Sequence, residues 1–346
     1  MTVPRRPAAF RALTRELDDI HSPVRRFLQE RYTYGLREVQ RQVRAAGPSL
    51  VVPAVPRDAA NPGTVGTAAD WLLRFLLHPA PDVSLAMAGA AEVGGLPLMR
   101  PVAGLAAALG ATCRYSGGVA GSLAGYEEAA GAGLVTPGHG RKGRDVSFTF
   151  TGPAAGSTAE PGLLARGCWA LALLTELFRA GGVALINGPL GRLNLAREVT
   201  TADLLALAPE AGLAQLAGFR RVFETALLPR LTGRAGPWAL GPVFSGSELI
   251  GGADADLIAA GLLLDLKTPA KLSLGVTDML QLIGYVLLDF DDQYQLAEVG
   301  LFSARYAHLA TWELRPLLTR LAGRDVDLAA ERDAFRDLLR RFASAR

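Results

Sequence analysis

The chain has 346 residues, of which half are hydrophobic and one fifth are charged, and its formal net charge is +3. This length and composition indicate one or two globular domains and exclude an intrinsically disordered chain. The two cysteines, Cys113 and Cys168, are too few for a disulfide scaffold or for a four-cysteine zinc or iron–sulfur site. No uninterrupted apolar run reaches about 18 residues and no secretory signal is visible, so we expect no membrane segment and a cytoplasmic location.

Residues 1–46 carry ten Arg against five acidic residues. Such an excess can attract a polyanion, and it is equally typical of a solvated helix surface. Within this segment, Ser22 followed by Pro23 is a typical helix start, a capping residue and then Pro at the first helical position. The pattern predicts a helix from Val24 to Val43, and the next amphipathic helix is expected at Gly66–Leu77.

The middle of the chain, residues 79–236, is rich in Gly and Ala and has weak periodicity. We interpret it as a helical insertion or lead-in between an N-terminal helical part (1–78) and a C-terminal part (237–346). The elements predicted within it are helices at 162–180 and 212–231 and a loop near Thr136–Arg144.

The pattern becomes strand-like after about Trp238. The predicted elements are a strand at Phe244–Ile250, a hairpin of Asp254–Ala259 with Leu262–Thr268, a helix at Thr277–Asp289, a strand at Gln295–Tyr306 and a helix at 324–344. A two-residue turn at Ala260-Gly261 places Asp256 opposite Asp265 and Asp254 opposite Lys267. Because side chains alternate along a strand, these four share one face. The other face carries leucines, at positions 257, 262, 264 and 266.

Two directly opposed carboxylates repel each other, and a divalent cation would remove that repulsion. Mg²⁺ is commonly held by one or two carboxylates together with phosphate oxygens and water. The neighbouring Lys267 is unusual because the chain has 33 Arg and only three Lys. A compact ammonium group beside a metal can hold a nucleophilic water or stabilise negative charge on phosphate. The alternative is a solvent-exposed face of mixed charges.

Asp256, then Asp265-Leu266-Lys267, and then Gln281-x-x-x-Tyr285 resemble the motif set of the PD-(D/E)XK nuclease superfamily, in particular its RecB-like branch. The resemblance covers roughly residues 240–306. It implies an α/β fold, with a restriction-endonuclease-like core of a mixed central sheet flanked by helices, to which large helical N-terminal and middle segments are added. Ala255 departs from the family pattern, which has Pro before the first Asp.

The resemblance also implies the role of each residue. Asp256, Asp265 and the backbone carbonyl of Leu266 would hold Mg²⁺ or Mn²⁺, with no iron–sulfur cluster. Lys267 would orient the attacking water. Gln281 and Tyr285, four residues apart on one helix face, would position the site and the nucleic acid.

The acidic residue that completes the metal site is left open. In Gly66-Thr67-Ala68-Ala69-Asp70 the pattern is similar to the helix that brings an acidic ligand or His into RecB-like sites, which favours Asp70. A solvated polar position is the alternative for Asp70. Glu176 and Glu224 are competing candidates, on helices that precede the hairpin.

The expected function is hydrolysis of phosphodiester bonds by a metal-dependent nuclease, with DNA as the expected substrate and RNA left open. The alternative is an inactive nuclease-like subunit that binds nucleic acid or assists assembly. No G-x-x-x-x-G-K-[ST] motif is present, so a helicase or defence-system partner would be a separate protein. DNA repair, phage defence and mobile-element processing are all compatible with these motifs.

Overall fold

Six strands with helices on both sides make up the part of the chain that the computed structural model describes. The described residues are 12–46, 48–93, 95–113, 148–151, 156–193, 195, 197–272 and 274–344. The predicted loop near Thr136–Arg144 lies outside them. Among the described helices, none combines the length and the apolar character needed to cross a bilayer.

The helices that precede the C-terminal strands are grouped by their position along the chain, before and after residue 78. The first group is α1 (Leu13–Asp18), α2 (Pro23–Tyr32), α3 (Leu36–Ala45) and α4 (Pro62–Leu77). The second group is α5 (Ser84–Val93), α6 (Leu96–Leu109), α7 (Pro161–Ala180), α8 (Gly182–Asn187), α9 (Thr201–Leu205), α10 (Glu210–Val222) and α11 (Leu228–Leu231), with a π-helical turn at Phe223–Leu227 between the last two.

The strands lie in the sheet in their order along the chain, β1 to β6. They are β1 (Phe148–Thr151), β2 (Pro237–Leu240), β3 (Leu257–Ala259), β4 (Leu262–Lys267), β5 (Glu298–Ser303) and β6 (His308–Glu313). All neighbouring pairs are antiparallel except β4 and β5, which are parallel. Parallel neighbours need a crossover, and α12 (Val276–Leu288) provides it. Two helices complete the chain, α13 (Leu314–Ala322) and α14 (Leu328–Ser344).

Helices cover both faces of the sheet. On one face, Leu257, Leu262 and Leu264 share a hydrophobic core with α4, α5, α6, α7 and α10. On the other, Ile258 and Leu263 share a core with α1, α2, α12, α13 and α14. The predicted α/β class, with a mixed sheet flanked by helices, is therefore confirmed, and the face that carries the acidic residues is also buried rather than open to solvent.

The predicted hairpin has the expected register. Ala259 pairs with Leu262 and Leu257 with Leu264. Ala260 and Gly261 both have positive φ, 48° and 80°, as a two-residue turn matched to strand twist requires. Asp256 therefore directly precedes β3 at the level of Asp265, and the opposed carboxylates follow from local turn geometry.

Two sequence predictions need correction. The helix expected over Val24–Val43 is divided by a turn between α2 and α3, although Ser22 Oγ does cap α2 by accepting the Val24 N–H at 3.1 Å. The strand expected at Phe244–Ile250 is wrong, because this segment forms consecutive turns. There Ser247 Oγ accepts the Phe244 N–H at 3.0 Å, so the segment satisfies its polar groups locally instead of along a strand partner.

Candidate active site

Asp256 and Asp265 meet at the end of the β3–β4 hairpin that is remote from the turn. Asp256 Oδ2 accepts the backbone N–H of Leu266 at 2.5 Å, and its carbonyl accepts the N–H of Gly241 at 3.0 Å. Asp265 is only 3% exposed. The backbone of Leu266 thus lies next to the Asp256 carboxylate, with its N–H, rather than the carbonyl of the predicted ligand set, making the contact.

Lys267 is held by three groups. Its Nζ lies 2.9 Å from Asp265 Oδ2 and 3.3 Å from Asp278 Oδ1, and it donates to Gln281 Oε1 at 2.9 Å. Burial by itself lowers the pKa of Lys267, but the carboxylates of Asp265 and Asp278 outweigh that effect and raise it. The ammonium group is therefore charged and fixed in position.

Gln281 and Tyr285 continue a chain of hydrogen bonds from Lys267. Gln281 Nε2 donates to Tyr285 Oη at 2.7 Å, and the Tyr285 hydroxyl donates to the carbonyl oxygen of Asp254 at 2.9 Å. Because the two residues are four apart on α12, their side chains share the helix face that packs on the sheet. The structure thus brings Asp256, Asp265, Lys267, Gln281 and Tyr285 together.

Asp254 does not take its predicted position opposite Lys267. The β3 ladder begins only at Leu257, and Asp254 forms an isolated bridge with Val243. Its Oδ2 instead lies 3.0 Å from Nη2 of Arg179, at the end of α7. The glycines at 251 and 252, both with positive φ, turn the chain away from the hairpin just before this point.

Asp70 lies on α4, and it is 8% exposed. Its Oδ2 accepts from Nε and Nη2 of Arg74 at 3.0 and 2.7 Å, while Oδ1 is buried without a hydrogen-bond partner. The other two upstream candidates have different surroundings. Glu176 accepts from Thr64 Oγ1 at 2.7 Å, and Glu224 pairs with the guanidinium four residues earlier, at 2.8 Å.

The ionised carboxylates at this site repel one another. Burial and the neighbouring charges of Asp265 and Asp70 raise the pKa of Asp256 well above its usual range. Burial also raises the pKa of Asp265, although Lys267 partly opposes it. Asp265 Oδ2 lies at ion-pair distance from Lys267 but accepts no hydrogen bond of good geometry. A cation would relieve this repulsion, so the residues present fit a divalent metal.

The donor set is small. Within the described ranges, no group of three or more His, Cys, Asp or Glu side chains is arranged to hold a metal. Two carboxylates and one backbone carbonyl are what the resemblance assigns to the protein, and a hard cation such as Mg²⁺ normally keeps several waters and takes further oxygens from a phosphate. Asp70, the additional carboxylate nearby, is engaged by Arg74.

Three residues of the site were missed by sequence reasoning. Asp278 and Arg74 had usable signals, since they stand three residues before Gln281 and four residues after Asp70 on their helices. Arg179 had none, because it is far from the motifs along the chain.

Comparisons of the chain with protein-family models, curated proteins and solved structures found no match.

Proposed function

We propose that this protein is a metal-dependent nuclease of PD-(D/E)XK type that hydrolyses phosphodiester bonds, with DNA as its substrate. The observation that carries the proposal is the convergence of Asp256, Asp265 and Lys267 in one partly buried cluster at a strand end. Asp265 and Lys267 are linked there to Gln281 and Tyr285, and Asp256 accepts from the Leu266 N–H. Burying like-charged carboxylates together is costly in free energy. Such a cluster is therefore more typical of a functional site than of a charged protein surface.

The order of elements supports the finer proposal of a restriction-endonuclease-like core. The motif residues lie on consecutive elements, with two carboxylates on the β3–β4 hairpin and the Gln-x-x-x-Tyr pair on the helix that follows. That helix crosses over to β5, parallel to β4, and so packs its polar pair against the end of the hairpin. The same order of hairpin and helix is implied by the RecB-like resemblance.

Asp256, Asp265 and the carbonyl of Leu266 would hold Mg²⁺ or Mn²⁺. Such a metal lowers the pKa of a bound water and stabilises negative charge on phosphate. Lys267 has a different task, which is to hold and orient the attacking water beside the scissile phosphate. Gln281, by accepting from Lys267 Nζ, keeps the ammonium group aimed at the carboxylates.

A basic surface next to the site supports a polyanionic substrate. Arg37, Arg41 and Arg44 are exposed and recur along one face of α3, where Arg41 pairs with Glu38. Gln40, on the same face, donates from Nε2 to the Leu274 carbonyl at 2.8 Å. This contact places the arginine stripe beside the loop that follows Lys267. Phosphate contacts by such residues supply affinity without sequence information.

The purified protein is expected to cleave DNA only when Mg²⁺ or Mn²⁺ is present, and EDTA should stop the reaction. The expected products carry a 5′-phosphate and a 3′-hydroxyl. Gel analysis of labelled single-stranded and double-stranded DNA, with RNA in parallel, measures both activity and substrate. Cleavage that persists in EDTA contradicts the proposal. Binding of nucleic acid with no cleavage under any metal condition favours the inactive subunit instead.

The upstream carboxylates can be ranked in the same assay. We expect Asp70→Asn to lower cleavage by about 10–100-fold, and by more than Glu176→Gln or Glu224→Gln. Amide replacements are preferable to Ala because Asp70→Ala would leave the buried Arg74 unpaired, a cost of about 3–5 kcal/mol. Melting temperatures of the three variants control for stability. A larger loss of cleavage in Glu176→Gln would instead identify Glu176, on α7, as the carboxylate that completes the metal site.

A further inference from the structure

Arg179 is the more exposed of two arginines that border the carboxylates. Its side chain is 46% exposed, and it contacts Asp254 through one pair of atoms, at 3.0 Å. Arg74, by contrast, is 9% exposed in its side chain and bonds twice to Asp70. Arg74 is therefore occupied by its buried ion pair with Asp70. Arg179 keeps most of its N–H donors available to a ligand from solvent.

The position of Arg179 is tied to the rest of the site. Asp254 holds its guanidinium through the carboxylate, and the carbonyl of the same residue accepts from Tyr285. Tyr285 in turn accepts from Gln281, which accepts from Lys267. Hydrogen bonds thus run without a break from Lys267 to Arg179, so the two cations have a defined relative placement.

The electrostatics agree with this placement. Asp254 is the largest influence raising the pKa of Arg179, and Asp70 and Asp256 raise it further against the opposing effect of burial. The guanidinium therefore lies within electrostatic reach of the carboxylates that would hold the metal.

We propose that Arg179 binds a phosphate of the nucleic-acid backbone next to the scissile bond. This inference rests on the proposed nuclease function and extends it. A guanidinium presents several N–H donors in one plane, in an arrangement that matches phosphate oxygens. The contact with Asp254 leaves some of these donors free. It also gives the middle segment, residues 79–236, a role in the site, because α7 supplies this residue.

The experiment compares Arg179→Ala with Arg166→Ala. Both arginines lie on α7, both are partly exposed, and both pair with a carboxylate at 3.0 Å, Arg166 with Glu210. Binding of labelled DNA duplex and single strand is measured by fluorescence anisotropy, with Ca²⁺ replacing Mg²⁺, from about 50 to 200 mM salt. Cleavage with Mg²⁺ is measured in parallel, and melting temperatures are compared.

We expect Arg179→Ala to weaken DNA binding by about 10-fold, the usual loss for one charged hydrogen-bonding contact. The slope of log K against log salt should fall by about 0.9 for duplex or about 0.7 for single strands. Arg166→Ala should change neither the affinity nor the slope. The two variants should melt at similar temperatures, since each loses one exposed ion pair.

Equal binding by the two variants, with cleavage by the wild-type protein intact, overturns the role of Arg179 and leaves the nuclease proposal standing. Binding that weakens only in Arg179→Ala, in a protein that never cleaves, supports the phosphate contact and overturns the nuclease proposal. A wild-type protein that binds no DNA in Ca²⁺ and cleaves none in Mg²⁺ overturns both.

Discussion

Asp265→Asn is expected to lower metal-dependent cleavage by at least about 10³-fold, which corresponds to about 4 kcal/mol of transition-state stabilisation. Asp265 is buried, lies opposite Asp256 and contacts Lys267, so its charge acts directly on both other residues of the proposed catalytic set. The measurement is the single-turnover rate at saturating Mg²⁺. Asp337→Asn, on the exposed side of α14, is a suitable control and should keep full activity.

The same variant should lose its response to metal. In the wild-type protein, Mn²⁺ at about 100 times its Kd adds about 2.7 kcal/mol to the free energy of unfolding, because the metal binds only the folded site. Without metal, Asp265→Asn should be at least as stable as the wild-type protein, since one of two repelling buried carboxylates is gone. Thermal unfolding with and without Mn²⁺ measures both effects. An unchanged metal response would place the metal elsewhere.

The pH dependence has a defined sign. The pKa values of Asp256 and Asp265 are raised in the folded protein, so the folded state binds more protons than the unfolded chain. The metal-free protein should therefore lose stability as pH rises from about 4, the usual carboxyl pKa, through the raised values. Asp265→Asn should flatten this dependence, and Mn²⁺ should oppose it by favouring the ionised carboxylates.

Lys267→Arg should be nearly as damaging as Lys267→Ala, with each losing about 10²–10³-fold in rate, or roughly 3–4 kcal/mol. Lys267 is partly buried and fits between Asp265, Asp278 and Gln281 at 2.9–3.3 Å. A guanidinium is wider and planar, so it cannot keep these contacts and also leave room for a water. Because 33 of the 36 basic residues in this chain are Arg, the presence of Lys at position 267 suggests that Arg does not serve there.

Single-turnover cleavage at saturating Mg²⁺ compares the three proteins, and the Mn²⁺ shift in melting temperature verifies that both variants still bind metal. If Lys267→Arg keeps more than about a tenth of wild-type activity, less than about 1.4 kcal/mol has been lost. Lys267 would then act only as a general positive charge, and its compact shape would not matter.

Features that depend on neighbouring residues were predictable from the sequence. The hairpin register follows from a two-residue turn and from side-chain alternation, and both are local. The helices α7 and α12 likewise appear as long periodic runs whose ends are marked by glycine or by the next strand. For this reason the hairpin pattern was enough to single out Asp256, Asp265 and Lys267, and the family resemblance added Gln281 and Tyr285.

Features that depend on contacts between distant segments were not predictable. Arg179 is 75 residues from Asp254 and has no motif of its own, yet the packing of α7 brings the two together. The burial of the acidic face was missed as well, because it depends on α12 folding back over the sheet. Local patterning thus determined the candidate residues of the hairpin and their register. Tertiary packing decided which charges surround them, because a charge is paired or desolvated only by what the whole fold places beside it.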